Sequence, residues 1–125
     1  MTVARRRTGE IAEALVARRL AEAGWEIVEC NARTRYGELD IVARDGGTLV
    51  FVEVKGAREG TSFGPERPIL AIDRRKQRRV RRLATAWMSE RRGQPPYAEI
   101  RFDAVGVTLD RHGRAVDVDY VKGAF

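Results

Sequence analysis

Residues 37–55 read GELDIVARDGGTLVFVEVK, and this stretch decides the fold. Two runs rich in β-branched and apolar residues, 37–45 and 48–55, flank Gly46 and Gly47. The pattern predicts two antiparallel strands joined by a two-residue turn. With that turn Asp45 pairs with Thr48, and the same register sets Asp40 opposite Glu53.

A cluster of charged side chains follows from this register. Because side chains alternate between the faces of a strand, Glu53 and Lys55 project from the same face. The register sets Glu38 opposite Lys55, so that Asp40 and Glu38 join that face, with about 5 Å between paired Cβ atoms. A three-residue turn would instead move Asp40 to the other face and remove the cluster.

These residue types suit phosphodiester chemistry. Two neighbouring carboxylates repel each other unless a positive charge compensates them. A hard divalent cation, Mg²⁺ or Mn²⁺, does so through oxygen ligands, makes water more acidic and polarises a phosphoryl oxygen. The ammonium of Lys55 suits the charge that develops in the transition state, and lysine is rare in this arginine-rich chain. The alternative interpretation is a set of salt bridges on a half-solvated sheet.

Outward from the hairpin, the chain alternates between helical and strand patterns. The spacing predicts a helix over 9–24 capped by Thr8, with Glu10 and Glu13 in its first turn, after a basic tail at 1–8. A second helix begins after Asp73. The remaining elements are strands at 25–30, 97–109 and 115–121, and a long flexible loop at 56–71. The sequence therefore predicts one α/β domain over residues 1–125, with helices packed on a mixed sheet.

Positive charge concentrates on the second predicted helix. The chain has 24 basic and 18 acidic residues, a formal net charge of +6, and residues 74–92 hold nine of the basic side chains and one acid. Such a patch indicates a polyanionic partner, nucleic acid first and an anionic membrane surface second. A merely solvated helix face is the plain alternative. The candidate nucleic-acid-binding residues on this helix are Arg74, Arg75, Lys76, Gln77, Arg78, Arg79 and Arg82.

Several classes of protein are excluded by what the sequence lacks. No apolar run approaches the ~20 residues that span a bilayer, and no apolar signal-peptide core follows residues 1–7. Cys30 is the single cysteine and permits no internal disulfide, so we expect a cytoplasmic protein. His112 is the single histidine and lies in a predicted turn, so serine and cysteine triads have no base.

Two residues outside the hairpin carry separate predictions. Phe63, in the long loop, either stacks on an unpaired base or anchors the loop to the core. Asp103 alternates to the same side as Arg101 on a predicted strand, which predicts a structural ion pair.

The charged positions also form a recognisable pattern. It combines a Gly-Glu pair opening a helix, an asparagine before the hairpin, the GELD and FVEVK strands, and later motifs. The residues are Gly9, Glu10, Asn31, Gly37 to Asp40, Phe51 to Lys55, Phe63, Gly64, Lys76 and Arg101 to Asp103. This pattern resembles the YraN-like family of small bacterial proteins from about Gly9 to Val107. That family in turn is similar to the PD-(D/E)xK nuclease superfamily and its Holliday-junction resolvases.

The resemblance implies a restriction-endonuclease-like fold, three α/β/α layers around a mixed central sheet. It implies that Asp40 and Glu53 ligate Mg²⁺ or Mn²⁺, that Glu10 completes the site from the first helix, and that Lys55 acts on the nucleophile or transition state. Glu38 is an auxiliary candidate. The chain departs from the superfamily at Leu39, where a proline is usual.

The second helix and the end of the hairpin also match parts of the family pattern. Lys76 and Gln77 match the start of the family's second helix, and their spacing from Val80 turns them inward, toward the cleft. Gly56 and Ala57 intervene before Arg58, which weakens the match for a phosphate contact at Arg58.

The function that follows is a metal-dependent endonuclease acting on nucleic acid, DNA rather than RNA, with branched or damaged DNA among the candidate substrates. Cutting two strands symmetrically would require a homodimer. The alternative is a non-catalytic nucleic-acid-binding module on a nuclease-like scaffold.

Overall fold

The predicted strands and helices all form, and several of them have different ends from those predicted. The computed structural model describes residues 2–60 and 67–125. The elements are α1 (Val3–Glu22), β1 (Glu26–Thr34), β2 (Gly37–Asp45), β3 (Thr48–Arg58), a 3-10 helix η1 (Pro68–Ala71), α2 (Arg74–Arg91), β4 (Glu99–Leu109) and β5 (Ala115–Val121).

A five-stranded mixed sheet forms the middle layer, in the spatial order β1-β2-β3-β4-β5. The β2 and β3 strands pair in the predicted register, from Asp45 opposite Thr48 to Ile41 opposite Val52. Strand β4 runs parallel to β3, and the other neighbours are antiparallel. The predicted hairpin and its two-residue turn are therefore confirmed.

Each face of the sheet is covered by one helix. Ala12, Val16 and Leu20 of α1 pack against one face, where Val50, Val52 and Val54 lie. On the other face, α2 packs against Leu39, Val42, Leu49, Phe51 and Phe102 through the residues Val80, Leu83, Ala84 and Trp87. The structure is thus the expected α/β fold with a mixed sheet between two helical layers.

Helix α1 begins six residues earlier than predicted. Thr2 is its N-cap and accepts a hydrogen bond from the Arg5 N–H at 3.2 Å. Residues 3–8 are therefore helical rather than a basic tail, because arginines are good helix formers and no proline separates them from the helix. Thr8 is no cap: it is buried, and its hydroxyl donates to the Ala4 carbonyl at 2.9 Å.

The predicted loop at 56–71 is shorter than expected where the structure describes it. Strand β3 continues to Arg58, and η1 forms at Pro68–Ala71. Gly106 of β4 permits this packing, because an added Cβ would lie 2.6 Å from the Ile69 nitrogen. Phe63 lies outside the described residues.

Helix α2 begins where the sequence predicted. Asp73 is its N-cap, and its Oδ1 accepts a hydrogen bond from the Lys76 N–H at 3.0 Å. Neither α1 nor any other helix within 2–60 and 67–125 is both long and apolar enough to span a bilayer.

Candidate active site

The β2 and β3 strands separate at Asp40. Their last cross-strand pair is Ile41 with Val52, one position before Asp40 and Glu53 would meet. The Asp40 side chain binds to β3 instead, because its Oδ2 accepts a hydrogen bond from the Val54 N–H at 2.8 Å. The separated ends leave room for carboxylates between the two strands.

The alternation of side chains also breaks at this point. Leu39 contributes to the core under α2, whereas Ile41 contributes to the core under α1. On the neighbouring strand, Asn31 has a left-handed backbone with φ of 49°. Side chains on the two sides of this break therefore change face, and the carboxylate of Asp40 lies where the chain crosses between the layers.

Two parts of the predicted cluster are consequently wrong. The four charged residues do not share one face, because the prediction assumed unbroken alternation. Glu38 does not lie opposite Lys55: it is exposed and pairs with Arg33 of β1 beyond the last pair of β2 with β3.

Helix α1 contributes Glu13 to the cluster. Burial first, then a carboxyl to carboxyl hydrogen bond with Asp40 and the charges of Asp40, Glu53 and Glu38, raise the pKa of Glu13 to about 8. Glu10, the predicted contributor, is exposed. Because α1 starts early, Glu10 lies in its interior, and Glu13 is the carboxylate that faces Asp40. A sequence signal existed, since Glu13 lies at helical spacing from the buried Val16 and Leu20.

Helix α2 contributes Lys76. Its Nζ lies 3.4 Å from the Glu53 Oε1. Glu53 is only 6% exposed. Burial and the charge of Asp40 raise the pKa of Glu53 to about 8, although the charge of Lys76 acts in the opposite direction. The prediction that Lys76 faces the cleft is thus matched by a direct contact with a carboxylate.

Lys55 lies at the rim of the cluster. Strand β3 stays regular alongside β4 as far as Arg58, so that Lys55 and Glu53 project from the same face. Lys55 is exposed, whereas Glu53 is buried. This arrangement leaves the Lys55 side chain accessible, two residues along the strand from Glu53.

The donor set of the cluster fits a hard cation. Asp40, Glu53 and Glu13 offer only carboxylate oxygens, and Mg²⁺ is commonly bound through one or two carboxylates while it keeps several waters. Burial first, and neighbouring carboxylates second, raise the pKa values of Glu13 and Glu53, so that ionisation of these groups would be favoured by a cation between them. Within residues 2–60 and 67–125, however, no three or more Asp, Glu, His or Cys side chains are arranged to enclose a metal ion. A cation at this position would therefore have an open site, with two carboxylates as ligands and water in the rest of its shell.

The predicted arginine surface divides into exposed and engaged residues. Arg74, Arg75, Arg78, Arg79 and Arg82 are exposed on α2. Gln77 is not available, because its Nε2 donates to the Ile72 carbonyl at 3.1 Å and closes the turn before the helix.

Arg58 is held by the fold. Its Nε donates to the Thr8 hydroxyl at 3.1 Å, and its Nη1 donates to the carbonyls of Asp110 and Arg111 at 3.2 and 3.3 Å. These bonds tie the end of β3 to α1 and to the turn between β4 and β5. We therefore assign Arg58 to the scaffold rather than to a phosphate contact.

The fold and the cluster define the class: a three-layer α/β/α protein whose central sheet separates around a group of carboxylates. The family described as "Uncharacterised protein family UPF0102" matches residues 12–107. The chain belongs to this family, which confirms the YraN-like resemblance.

Curated relatives match over most of their length. A UPF0102 protein of Streptomyces griseus is 50% identical over 120 residues, covering 96% of this chain and 97% of the relative. One from Nocardia farcinica is 47% identical over 117 residues, covering 94% and 87%. One from Moorella thermoacetica is 44% identical over 127 residues, covering 100% of both.

Proposed function

We propose that the protein is a metal-dependent phosphodiesterase that cuts nucleic acid, with DNA as its substrate. The observation that carries this proposal is the crowding of Glu13 and Glu53 around Asp40. The pKa values of Glu13 and Glu53 are both raised to about 8 there. A site whose carboxyl groups ionise only reluctantly unless a cation joins them, in a protein with an arginine-rich helix, favours a cation and a polyanion together.

Each residue has a role in this proposal. Asp40 and Glu53 would hold Mg²⁺ or Mn²⁺, and Glu13, in the position that the resemblance gave to Glu10, would hydrogen-bond with Asp40 rather than act as a third ligand. When bound, the cation supplies a Lewis acid for the phosphoryl oxygen and lowers the pKa of water. Lys55 places its charge where the transition state becomes more negative. Lys76 orients the Glu53 carboxylate through their contact.

The exposed arginines of α2 hold the phosphates of the substrate. Contacts of this kind position a strand without reading its sequence. One chain offers one such cluster, so symmetric cutting of both strands of a duplex requires two copies of the protein.

The decisive experiment is a gel assay of the purified chain with Mn²⁺ or Mg²⁺. The substrates are end-labelled single-stranded, duplex, flap and four-way-junction DNA, and RNA. We expect cleavage of DNA by the wild type and none by Glu53→Gln, with Glu10→Gln as the matched control that retains activity. Equal cleavage by wild type and Glu53→Gln would indicate a contaminating nuclease and would overturn the proposal.

A second candidate function is a nucleic-acid-binding module that does not cut. The contact between Lys76 and Glu53 favours it, because an ammonium already compensates part of the charge that a metal would compensate. Band shifts without cutting, equal for wild type and Glu53→Gln, would select this function.

Calorimetry separates the metal site from catalysis. We expect Mn²⁺ to bind the wild type and to bind Asp40→Asn at least about tenfold more weakly. Identical binding by both proteins would exclude Asp40 as a ligand, whatever the gel assay shows.

A further inference from the structure

A groove of about 700 Å³ lies between α2 and the turn that joins β1 to β2. Arg35 and Tyr36 line it from the turn, and Arg79, Arg82 and Ser89 line it from the helix. Gly37 permits the close approach of the turn to α2, since an added Cβ would lie 3.2 Å from the Arg79 Nη2. The groove therefore follows from the way the hairpin packs on the helix.

The groove and the carboxylate cluster both lie along α2. Arg79 also lines a smaller recess with Arg33 and Glu38, the residue two positions before Asp40. On the helix, Lys76 contacts Glu53 and lies one turn before Arg79. A strand laid along this face of α2 would pass from the groove to the cluster within about 5 to 10 Å of helix rise.

The charge of the groove favours an anion. Three arginines line it, Arg35, Arg79 and Arg82, and Arg33 lies in the smaller recess that shares Arg79. The acidic side chain at its far end, Glu90, accepts a bond from the Arg35 N–H at 3.4 Å and pairs with Arg91 at 3.6 Å. Because Glu90 is engaged by these donors, the arginines dominate the charge of the surface.

The turn also presents an aromatic ring. Tyr36 is 66% exposed, and the Arg35 guanidinium lies 5.1 Å from the centre of its ring. The Thr34 hydroxyl orders the turn, accepting from the Tyr36 N–H and donating to the Gly37 carbonyl, both at 3.0 Å. A large exposed ring on an ordered turn, with arginines around it, is a platform on which a nucleobase stacks.

We infer that this groove holds unpaired nucleotides of a DNA strand, with a base on Tyr36 and phosphates on the arginines. A duplex does not offer this contact along its length, because its base faces are covered by neighbouring pairs. The inference deepens the proposed function: the substrate of the cluster is DNA with a single-stranded segment, and the single strand leads into the cluster.

The test is fluorescence anisotropy in EDTA with labelled oligothymidine and a blunt duplex of equal length. We expect the wild type to bind oligothymidine more tightly than the duplex. Tyr36→Ala should weaken oligothymidine binding by about tenfold and leave duplex binding unchanged, as loss of one stacked base predicts. Tyr36→Phe should retain the affinity, since it keeps the ring. The matched charge control is Arg18→Ala, on the exposed surface of α1, compared with Arg82→Ala.

The inference is overturned if Tyr36→Ala binds oligothymidine as the wild type does, or if Arg18→Ala weakens binding as much as Arg82→Ala. It is also overturned if an acidic peptide of the same charge competes fully and with the same dependence on Tyr36. Because binding is measured without metal, the result does not depend on cleavage. If the protein does not cleave DNA but its binding to oligothymidine still depends on Tyr36, the proposed function is refuted and the groove remains assigned to single-stranded DNA.

Discussion

Two buried carboxylates, Glu53 and Asp103, lie on the adjacent strands β3 and β4, and they differ in how many donors surround them. Asp103 is fully buried and receives bonds from the Arg101 guanidinium at 2.8 and 3.0 Å, the Tyr120 hydroxyl at 2.6 Å and the Gly123 N–H at 2.9 Å. Glu53 is nearly as buried, yet its compensation is one lysine at 3.4 Å, and the charge of Asp40 opposes it.

The difference separates a structural carboxylate from the one to which we assign a function in our proposal. Donors within the fold satisfy Asp103, which confirms the predicted ion pair with Arg101. Glu53 is crowded by like charge, and such a group is stabilised by protonation or by a cation from outside. Burial alone therefore does not identify the site; the balance of charge around the buried group does.

The largest expected effect is on catalysis. We expect Glu53→Gln to lower the cleavage rate by on the order of 10²- to 10³-fold, the size seen when one electrostatic stabiliser of a transition state is lost. Asp103→Asn should keep the wild-type rate per folded molecule, since Asp103 bonds only to the scaffold. Single-turnover cleavage, corrected for the folded fraction by circular dichroism, measures both. Equal losses in the two variants would break the comparison.

The second effect is on the free energy of unfolding, and here the substitution at Asp103 should have the larger effect. Asp103→Asn leaves Arg101 and Tyr120 without their carboxylate, and we expect it to lower the free energy of unfolding by about 3 kcal/mol. Glu53→Gln relieves repulsion from Asp40, so we expect no loss or a gain in stability. Urea unfolding at pH 8 compares the two. A larger loss for Glu53→Gln than for Asp103→Asn would contradict the assignment of roles.

The third effect is a dependence of stability on pH. The pKa of Glu53 is raised from 4.5 to about 8, so the folded state keeps a proton that the unfolded chain loses. The resulting stabilisation is complete below pH 4.5 and is lost as the pH rises to about 8, with a limit of about 1.4 kcal/mol per pH unit for one group. Glu13 behaves in the same way.

Urea unfolding between pH 5 and 8 without divalent metal measures this slope. We expect Glu53→Gln to reduce it and the double variant Glu13→Gln, Glu53→Gln to remove most of it. Glu10→Gln is the matched control on α1 and should leave the slope unchanged. A slope unaffected by the double variant would show that other groups carry it.

The smallest effect concerns the break in alternation that separates the two faces. Asn31 has a left-handed backbone, which costs residues with a Cβ about 1 to 2 kcal/mol and glycine little. We expect Asn31→Ala to lower the free energy of unfolding by up to about 1 kcal/mol and Asn31→Gly to be milder. Thermal unfolding compares the two variants. Greater loss for glycine would indicate that the Asn31 side chain, rather than its backbone, is required.

The alternation of side chains was sufficient to predict the pairing of β2 with β3 as far as Ile41, where the alternation breaks. The register from Asp45 to Ile41 was correct because a two-residue turn and alternating side chains specify it. The cap at Asp73 was also correct, since an aspartate before a helical stripe has few other roles. The placement of Asp40 and Glu53 near each other followed from the same register, whereas their relation to Glu38 did not.

By itself, the sequence determined the α/β fold, the hairpin, the basic helix and the pair of Asp40 and Glu53, because spacing along one or two elements specifies these features. Only the tertiary structure decided that Glu13 replaces Glu10, that Lys76 contacts Glu53, that Arg58 belongs to the scaffold and that Tyr36 borders a basic groove. Those outcomes depend on how helices from both layers approach the point where β2 leaves β3. Periodicity within one element can indicate which side chains face inward, as at Glu13, but it does not specify what they meet there.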